Sequence, residues 1–251
     1  MSFARETSIV FRRQLRIALR EPAWIAIGLL QPVLYLALFG PLLQPLASSL
    51  GTTNAYTLFV PGLIVQLAIF GALFVGFGLI GEWRDGVIEA ERVTPASRTA
   101  LLLGRVLKDV LQIFVQGSIL IGLGFAFGLR GSIGGMLLGF ALALALSTAV
   151  AAAGYALGLT LKSEDSLAAV ANGVSLPVLL LSGILLPMTI APQWLQTVSD
   201  FVPIKHIVQG IRDLFRGDFA TMGVVWAIVW TVVLVAAGLW IGTRTFRRQN
   251  A

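Results

Sequence analysis

The chain has 251 residues, of which 57% are hydrophobic and only 12% charged, with 18 Lys and Arg against 12 Asp and Glu. A soluble domain carries about 25% charge, so the composition excludes a soluble enzyme, a disordered chain and a disulfide-rich secreted domain. With no cysteine and a single histidine, His206, it also excludes a disulfide framework, a thiolate site and any metal site that needs two histidines.

A polytopic membrane protein remains, with a mean hydropathy of +0.89. The net charge of +6 reads as the flanks of membrane spans, not as a nucleic-acid surface.

The chain opens on a basic segment, 1–21. At 100° per residue Arg5, Arg12, Arg13, Arg16 and Arg20 fall within an arc of about 100°. Phe3, Val10, Phe11, Ile17 and Ala18 gather opposite, and only Ile9 breaks the pattern. This is the pattern of an amphipathic helix at a membrane interface.

Asp, Glu, Lys and Arg are then absent from 22–81, 110–129, 131–161, 166–199 and 219–243. A helical span needs about 20 apolar residues. The first window holds two spans, divided by the polar, turn-rich stretch Leu46 to Asn54, and the others hold one each. Six spans result, near 22–43, 58–81, 103–129, 133–161, 167–188 and 221–243. The first apolar stretch, about 22 residues, exceeds the h-region of a signal peptide. Runs such as Met136–Leu146 are apolar all round and lack the alternation of a membrane barrel strand. Gly71, Gly76, Gly78 and Gly81 suggest a small-residue packing face on the second span, and Gly154 with Gly158 a matching pair on the fourth.

Between the second and third spans lies Glu82–Arg98, the richest run of mixed charge. A short helix near 85–92 is expected there, with Thr94 as N-cap and Pro95 as the first residue of the next helix. Arg105 and Asp109, four apart, can pair on one face. Such a run either docks a soluble protein or is a solvated loop, and spacing does not separate the two. After the fifth span, Pro187, Pro192 and Pro203 punctuate a stretch too apolar for an ordinary loop. Short helices in the outer interface are expected over 187–218, with Trp194 at headgroup depth and Lys205, His206, Arg212 and Arg216 outside. His206 reads as a solvated or hydrogen-bonded residue.

Orientation follows from the basic residues. Only Arg130, Lys205, Arg212 and Arg216 of the 18 fall on one side; the other side holds the rest. Basic residues favour the cytoplasm, which puts both termini inside.

At these residues the sequence resembles the membrane-spanning permease of type-2 ATP-binding-cassette (ABC) exporters, closest to the daunorubicin-resistance exporter membrane subunits. One stretch is Glu82-x-x-x-Gly86-x-x-Glu89-x-x-Arg92-x-Thr94-Pro95-x-x-Arg98, followed by Leu102-Leu103-Gly104-Arg105-Val106-Leu107-x-Asp109. The other is Pro177, Ser182-Gly183, Pro187, Pro192-x-Trp194-Leu195-Gln196, Pro203, Arg212 and Gly217.

The resemblance implies an all-α polytopic permease domain over 1–251. Residues 1–21 would form its connecting helix, 82–100 its coupling loop and 187–218 an extracellular helical hairpin. It implies that Glu82, Arg84, Asp85, Gly86, Glu89 and Arg92 lie nearest an ATPase, and that Thr94 and Pro95 fix the turn into the third span. It implies two copies of an ABC ATPase subunit as partners. A second permease chain, identical or closely related, is also implied, in a bacterial plasma membrane. ATP and magnesium would be bound by the ATPase, with no cofactor on this chain.

The chain has no Gly-x-x-x-x-Gly-Lys-Ser/Thr phosphate loop, so it cannot cradle nucleotide that way. An intramembrane enzyme would need ionisable residues in the charge-free windows. A proton- or cation-coupled channel would too, although backbone carbonyls could still coordinate ions. An ATP-driven exporter is therefore the expected function.

Few polar groups line the spans, which favours a hydrophobic or amphipathic cargo, drug-like or lipid-like, over a glycan. Pro32 interrupts the first span beside Gln31, and Gln31 and Tyr35 share a face. With Asn172 and Ser175 of the fifth span they are candidates to border the translocation path. Alternatively they only hydrogen-bond neighbouring helices.

Overall fold

The computed structural model describes residues 2–20, 23–47, 52, 54–94 and 96–249. Among them there is no strand. The elements in chain order are α1 (Phe3–Arg20), α2 (Ala23–Leu43), a 3-10 turn (Gln44–Leu46), α3 (Ala55–Leu73), α4 (Val75–Arg84) and α5 (Val87–Arg92). They continue with α6 (Arg98–Ala126), α7 (Ile133–Leu161), α8 (Glu164–Leu181), a 3-10 turn (Met188–Ile190), α9 (Gln193–Asp200), α10 (Pro203–Arg216) and α11 (Met222–Gln249).

Six stretches are long and apolar enough to cross a membrane: α2, α3 with α4 as one unit, α6, α7, α8 and α11. They correspond to the six spans read from the charge-free windows, with shifted ends. The fifth is shorter than expected, stopping at Leu181, because Gly183 adopts φ +69 in the turn that follows. The second is interrupted at Phe74, whose ψ of −2° ends α3 and starts α4.

Local chemistry sets the ends. The Asn54 side chain accepts from the Tyr56 amide, 2.9 Å away, at the start of α3. Ser132 and Ser163 cap α7 and α8 in the same way. Pro203 occupies the first turn of α10, where its missing N–H costs nothing. Gly217, at φ +97, closes the same helix by donating to Asp213 and Leu214 carbonyls.

The centre of the bundle is α3, buried along almost its whole length, with α7 beside it. Packing there depends on absent side chains. A Cβ on Gly76 would stand 2.7 Å from the Gly154 carbonyl, and one on Gly158 2.8 Å from the Gly76 carbonyl. Of the small-residue face anticipated on the second span, Gly76 meets the Gly154–Gly158 pair of α7, whereas Gly71 faces Ile113 of α6. Gly78 and Gly81 do not belong to that face, since a Cβ on either would meet nothing within 4 Å. The periphery is apolar instead of charged: Leu30, Leu42, Phe114, Leu137, Leu176, Val232 and Trp240 are all exposed. An apolar stripe that wide suits hydrocarbon as solvent.

α1 and the last turns of α11 lie at one end of the bundle. Val10 of α1 and Phe246 of α11 share a buried cluster with Leu79, Ile88, Leu101, Leu102, Tyr155 and Leu159. At the other end Asn54 donates to the Gly128 carbonyl (2.6 Å) and Thr57 to the Arg130 carbonyl (2.7 Å), joining the starts of α3 and α7.

Arg212 lies at that end too. It is buried, because α10 lies against α3, α7 and α11 with Arg212 on its inward face. Its Nε donates to the Leu58 carbonyl (2.9 Å), and one guanidinium nitrogen donates to the carbonyls of Gly183 (2.8 Å) and Ile184 (3.0 Å). Those last two carbonyls belong to the turn that ends α8, which has no helical partners for them. Burial pushes Arg212 down to about 10, so it stays cationic at neutral pH. His206 is hydrogen-bonded as expected, its Nε2 2.9 Å from the Asp200 carbonyl, with the rings of Trp226 and Trp230 close by.

Candidate functional site

The end that carries both termini also carries a charge cluster. α1 is brought onto α6 at Gly104, where a Cβ would meet Val10 Cβ at 2.7 Å and the Thr7 carbonyl at 2.9 Å. That seat buries Thr7, Val10 and Gln14 and leaves most of the arginines of α1 outward. The anticipated helix forms, but the line it buries is partly polar. Exposed Phe3, Ile9, Ile17 and Leu19 remain for another medium.

From this seat Gln14 donates to Glu82 (2.7 Å) and Arg13 to Glu91 (3.0 Å). Arg105 of α6 stands between the same two carboxylates. It contacts both oxygens of Glu91, at 3.0 and 3.1 Å, and the second oxygen of Glu82. The Arg105 side chain is 1% exposed, Glu91 11% and Glu82 21%. Two cations thus meet two anions across α1, α4, α5 and α6. Glu91 is held by its backbone as well, its carbonyl accepting from Thr94 Oγ1 (2.7 Å) and Arg98 (3.1 Å). One turn further along α6, Asp109 is held by Lys108 and by the Tyr155 hydroxyl (2.5 Å) of α7.

The pair expected between Arg105 and Asp109 is therefore replaced. Arg105 turns to two carboxylates on other elements, and Asp109 takes its neighbour Lys108 and a tyrosine on the next helix.

The residues singled out in 82–95 divide into two groups. Glu82 points inward. Arg84 and Asp85 are exposed at the end of α4, and Arg84 reaches Glu164 at the start of α8 (2.6 Å). Gly86 sits at φ +72, a conformation open to glycine at no steric cost, and so starts α5 at a sharp angle to α4. Glu89 is exposed in the first turn of α5, and Arg92 ends that helix.

Thr94 is not the N-cap of α6. Ser97 is, its side chain accepting from the Ala100 amide at 3.2 Å, while its own amide donates to Glu6 of α1 (2.9 Å). Pro95 lies outside the described residues. The helix starts later because Thr94 is already committed to closing α5. Spacing within the loop did not reveal Glu91, Arg13 or Gln14 as members of the cluster. The available signal was Arg105 itself, a cation in a helix otherwise headed into hydrocarbon, which demands counter-charges.

The four residues proposed for the translocation path are not gathered. Gln31 Nε2 donates to Tyr35 Oη (3.2 Å) on the exposed face of α2, which packs on α3 and α6. Asn172 is exposed on α8, and the buried Ser175 hydroxyl finds no partner among the described residues. α8 packs on α3, α4 and α7. No metal-ligating group of three or more His, Asp or Glu occurs among the described residues.

The sequence profile of the ABC-2 type transporter family matches residues 5–216, most of the chain. The protein belongs to the ABC-2 type transporter family. It is 27% identical over 230 residues to the daunorubicin resistance ABC transporter permease protein DrrB1 of Streptomyces coeruleorubidus, covering 88% of this chain and 79% of that protein. It is 28% identical over 217 residues to the ycf38 protein of Cyanophora paradoxa, covering 85% and 75%. It is 20% identical over 179 residues to the probable multidrug ABC transporter permease YbhR of Escherichia coli (strain K12), covering 71% of this chain and 48% of that one. This ABC-2 chain is a membrane permease subunit of an ABC transporter, and its family supplies transport components that work with an ABC ATPase.

Proposed function

We propose that this permease exports a hydrophobic or amphipathic molecule, drug-like or lipid-like, driven by two copies of a separate ATPase subunit. ATP and magnesium are bound by that partner, and this chain binds no cofactor. The observation that carries the reading is the cluster Arg13–Glu91–Arg105–Glu82. It fastens α5 to α1 and α6 while Asp85 and Glu89 stay exposed on the outer side of the same turn. A push on α5 then reaches α6, a full-length span, through buried ion pairs, not through a compliant loop. The glycine hinge at Gly86 and the short α5 give the ATPase a rigid knob to grip.

In this reading α1 lies in the interface of a bacterial plasma membrane with both termini in the cytoplasm. Its exposed apolar residues Phe3, Ile9, Ile17 and Leu19 dip toward lipid. The hairpin of α9 and α10 caps the outer side. Two permease chains, identical or closely related, enclose the path, with Gln31 and Tyr35 of α2 and Asn172 and Ser175 of α8 facing it. That these pairs lie apart within one chain agrees with a path completed by a second.

The names of two relatives, a daunorubicin resistance permease and a probable multidrug permease, support a drug-like cargo. An alternative is a lipid-linked glycan moved by the same architecture.

The test is to co-purify the permease with its ATPase and measure cargo-stimulated ATP hydrolysis in proteoliposomes. Glu89→Ala, which alters only an exposed side chain, should leave the permease inserted and reduce stimulation several-fold. Gly86→Pro, which cannot hold a positive φ, should abolish it. Full stimulation in both variants at equal complex yield would remove this loop from coupling.

A further inference from the structure

At the end of the bundle opposite the ion cluster lies an open cavity of about 790 Å³. It is walled by Gln44, Tyr56, Thr57, Phe127, Arg130 and Arg216 among others. No acidic residue lines it among the described residues. Its volume is in the range of sites that hold small ligands, about 300–1,000 Å³.

The charges on its wall are unbalanced. Arg130 enters no ion pair among the described residues. Arg216 reaches Asp213 only at 3.9 Å, and the other Asp213 oxygen already accepts from Thr221 Oγ1 (2.8 Å). One turn below Arg216, the buried Arg212 adds a third positive charge whose direct partners are backbone carbonyls. Asp218, the next carboxylate in the chain, is exposed and stands outside the wall.

The rest of the wall is built to stay in place. Thr57 Oγ1 holds the Arg130 carbonyl, and Asn54 holds the carbonyl of Gly128, whose φ is +99. The Gln44 side-chain oxygen accepts from the Ala55 amide (3.1 Å), which turns the two N–H donors of its amide elsewhere. Tyr56 and Phe127 stack with ring centroids 6.2 Å apart and give the same wall an aromatic face.

We infer that this cavity binds the anionic headgroup of an amphiphile, a phosphate, sulfate or carboxylate on an apolar body. Arg130 and Arg216 take the anion and the Tyr56–Phe127 pair takes the body. Guanidinium groups form paired, charge-assisted bonds to such oxygens. A cationic amphiphile would meet only repulsion. The inference deepens the export reading and rests on it solely for the identity of the anion as cargo; the binding chemistry stands without it.

The experiment uses the full chain in nanodiscs of zwitterionic phosphatidylcholine, titrated calorimetrically with dodecyl phosphate, dodecyltrimethylammonium and inorganic phosphate. Dodecyl phosphate should bind at least about tenfold more tightly than either of the others. Arg130→Gln with Arg216→Gln should weaken it about tenfold or more, the scale of losing charge-assisted bonds. Arg130→Lys with Arg216→Lys, which keeps the charge but not the planar fork, should bind more tightly than the double glutamine variant and less tightly than the unaltered chain.

If the double glutamine variant fails to fold, Arg130→Gln alone, at an exposed position, carries the same test with a smaller loss. Nanodiscs containing phosphatidylglycerol separate the sources: competition marks a resident lipid, and its absence marks cargo. Equal binding of the two amphiphiles would overturn the inference. So would inorganic phosphate matching dodecyl phosphate, or unchanged binding in a folded glutamine variant. Selective binding without ATP-driven transport would instead leave the site standing and sink only the export reading.

Discussion

Arg105 concentrates the chemistry of the end that carries α1 and α5. A guanidinium that is almost wholly inaccessible holds two carboxylates on two different elements. A buried pair of this kind is weak proof of net stability, because desolvation offsets the attraction. Removal of one member is another matter, since it strands the opposite charges. Arg105→Met should therefore destabilise the permease by about 3–5 kcal/mol, leaving Glu82 and Glu91 uncompensated. Arg105→Lys should recover only part of that, because an ammonium cannot span two carboxylates with a planar fork. Arg13, with its side chain 45% exposed, contributes no more than about 1 kcal/mol when changed to alanine. Thermal unfolding in detergent, followed by the loss of the monodisperse peak, ranks the three variants. An Arg13→Ala effect equal to that of Arg105→Met would place the strength of the cluster at its surface.

At the scale of elements, the caps show what the sequence could and could not reveal. Five apolar windows bounded by charge were legible because hydrocarbon tolerates no charge in mid-span, and the polar turn from Leu46 to Asn54 divided the first of them into two spans. The Gly76–Gly154–Gly158 contact was legible in outline, since small residues at helical spacing have few other uses in lipid. The start of α6 was misplaced at Thr94 because Thr-Pro and Ser-Arg both satisfy local capping rules, and only the tertiary bond from Thr94 to Glu91 decides between them. The burial of Arg212 was not legible either, because the free carbonyls that receive it are 28 to 154 residues away in sequence. The path residues were not legible within one chain. Ser97→Ala should cost about 1 kcal/mol, the usual loss of an N-cap. Thr94→Ala, at an exposed position, should stay within about 0.5 kcal/mol. SDS-induced unfolding monitored by circular dichroism measures both, and a larger loss for Thr94→Ala would reinstate the earlier helix start.

For the whole molecule, the decisive quantity is which end faces the cytoplasm. An even number of spans puts α1 and the end of α11 on one side, and the shared cluster of Val10 and Phe246 agrees with that. α5 lies at this same end, because Ile88 belongs to the same cluster. Most of the chain's lysines and arginines flank this end, and the opposite end holds Arg130, Lys205, Arg212 and Arg216. The retention of basic flanks in the cytoplasm during insertion is the ground for the proposed orientation, with α5 toward the compartment that holds ATP and the wide cationic cavity toward the outside. The absence of native cysteine makes this measurable with single substitutions. Glu89→Cys on α5 and Gln193→Cys at the start of α9 are both exposed positions, so neither should disturb the fold. In intact cells a membrane-impermeant maleimide should label the cysteine at 193 and spare that at 89, and in inverted membrane vesicles the pattern should reverse. Labelling of position 89 from outside would turn the molecule over, removing α5 from the ATPase and placing the arginine-lined cavity in the cytoplasm, where it would receive cargo instead of releasing it.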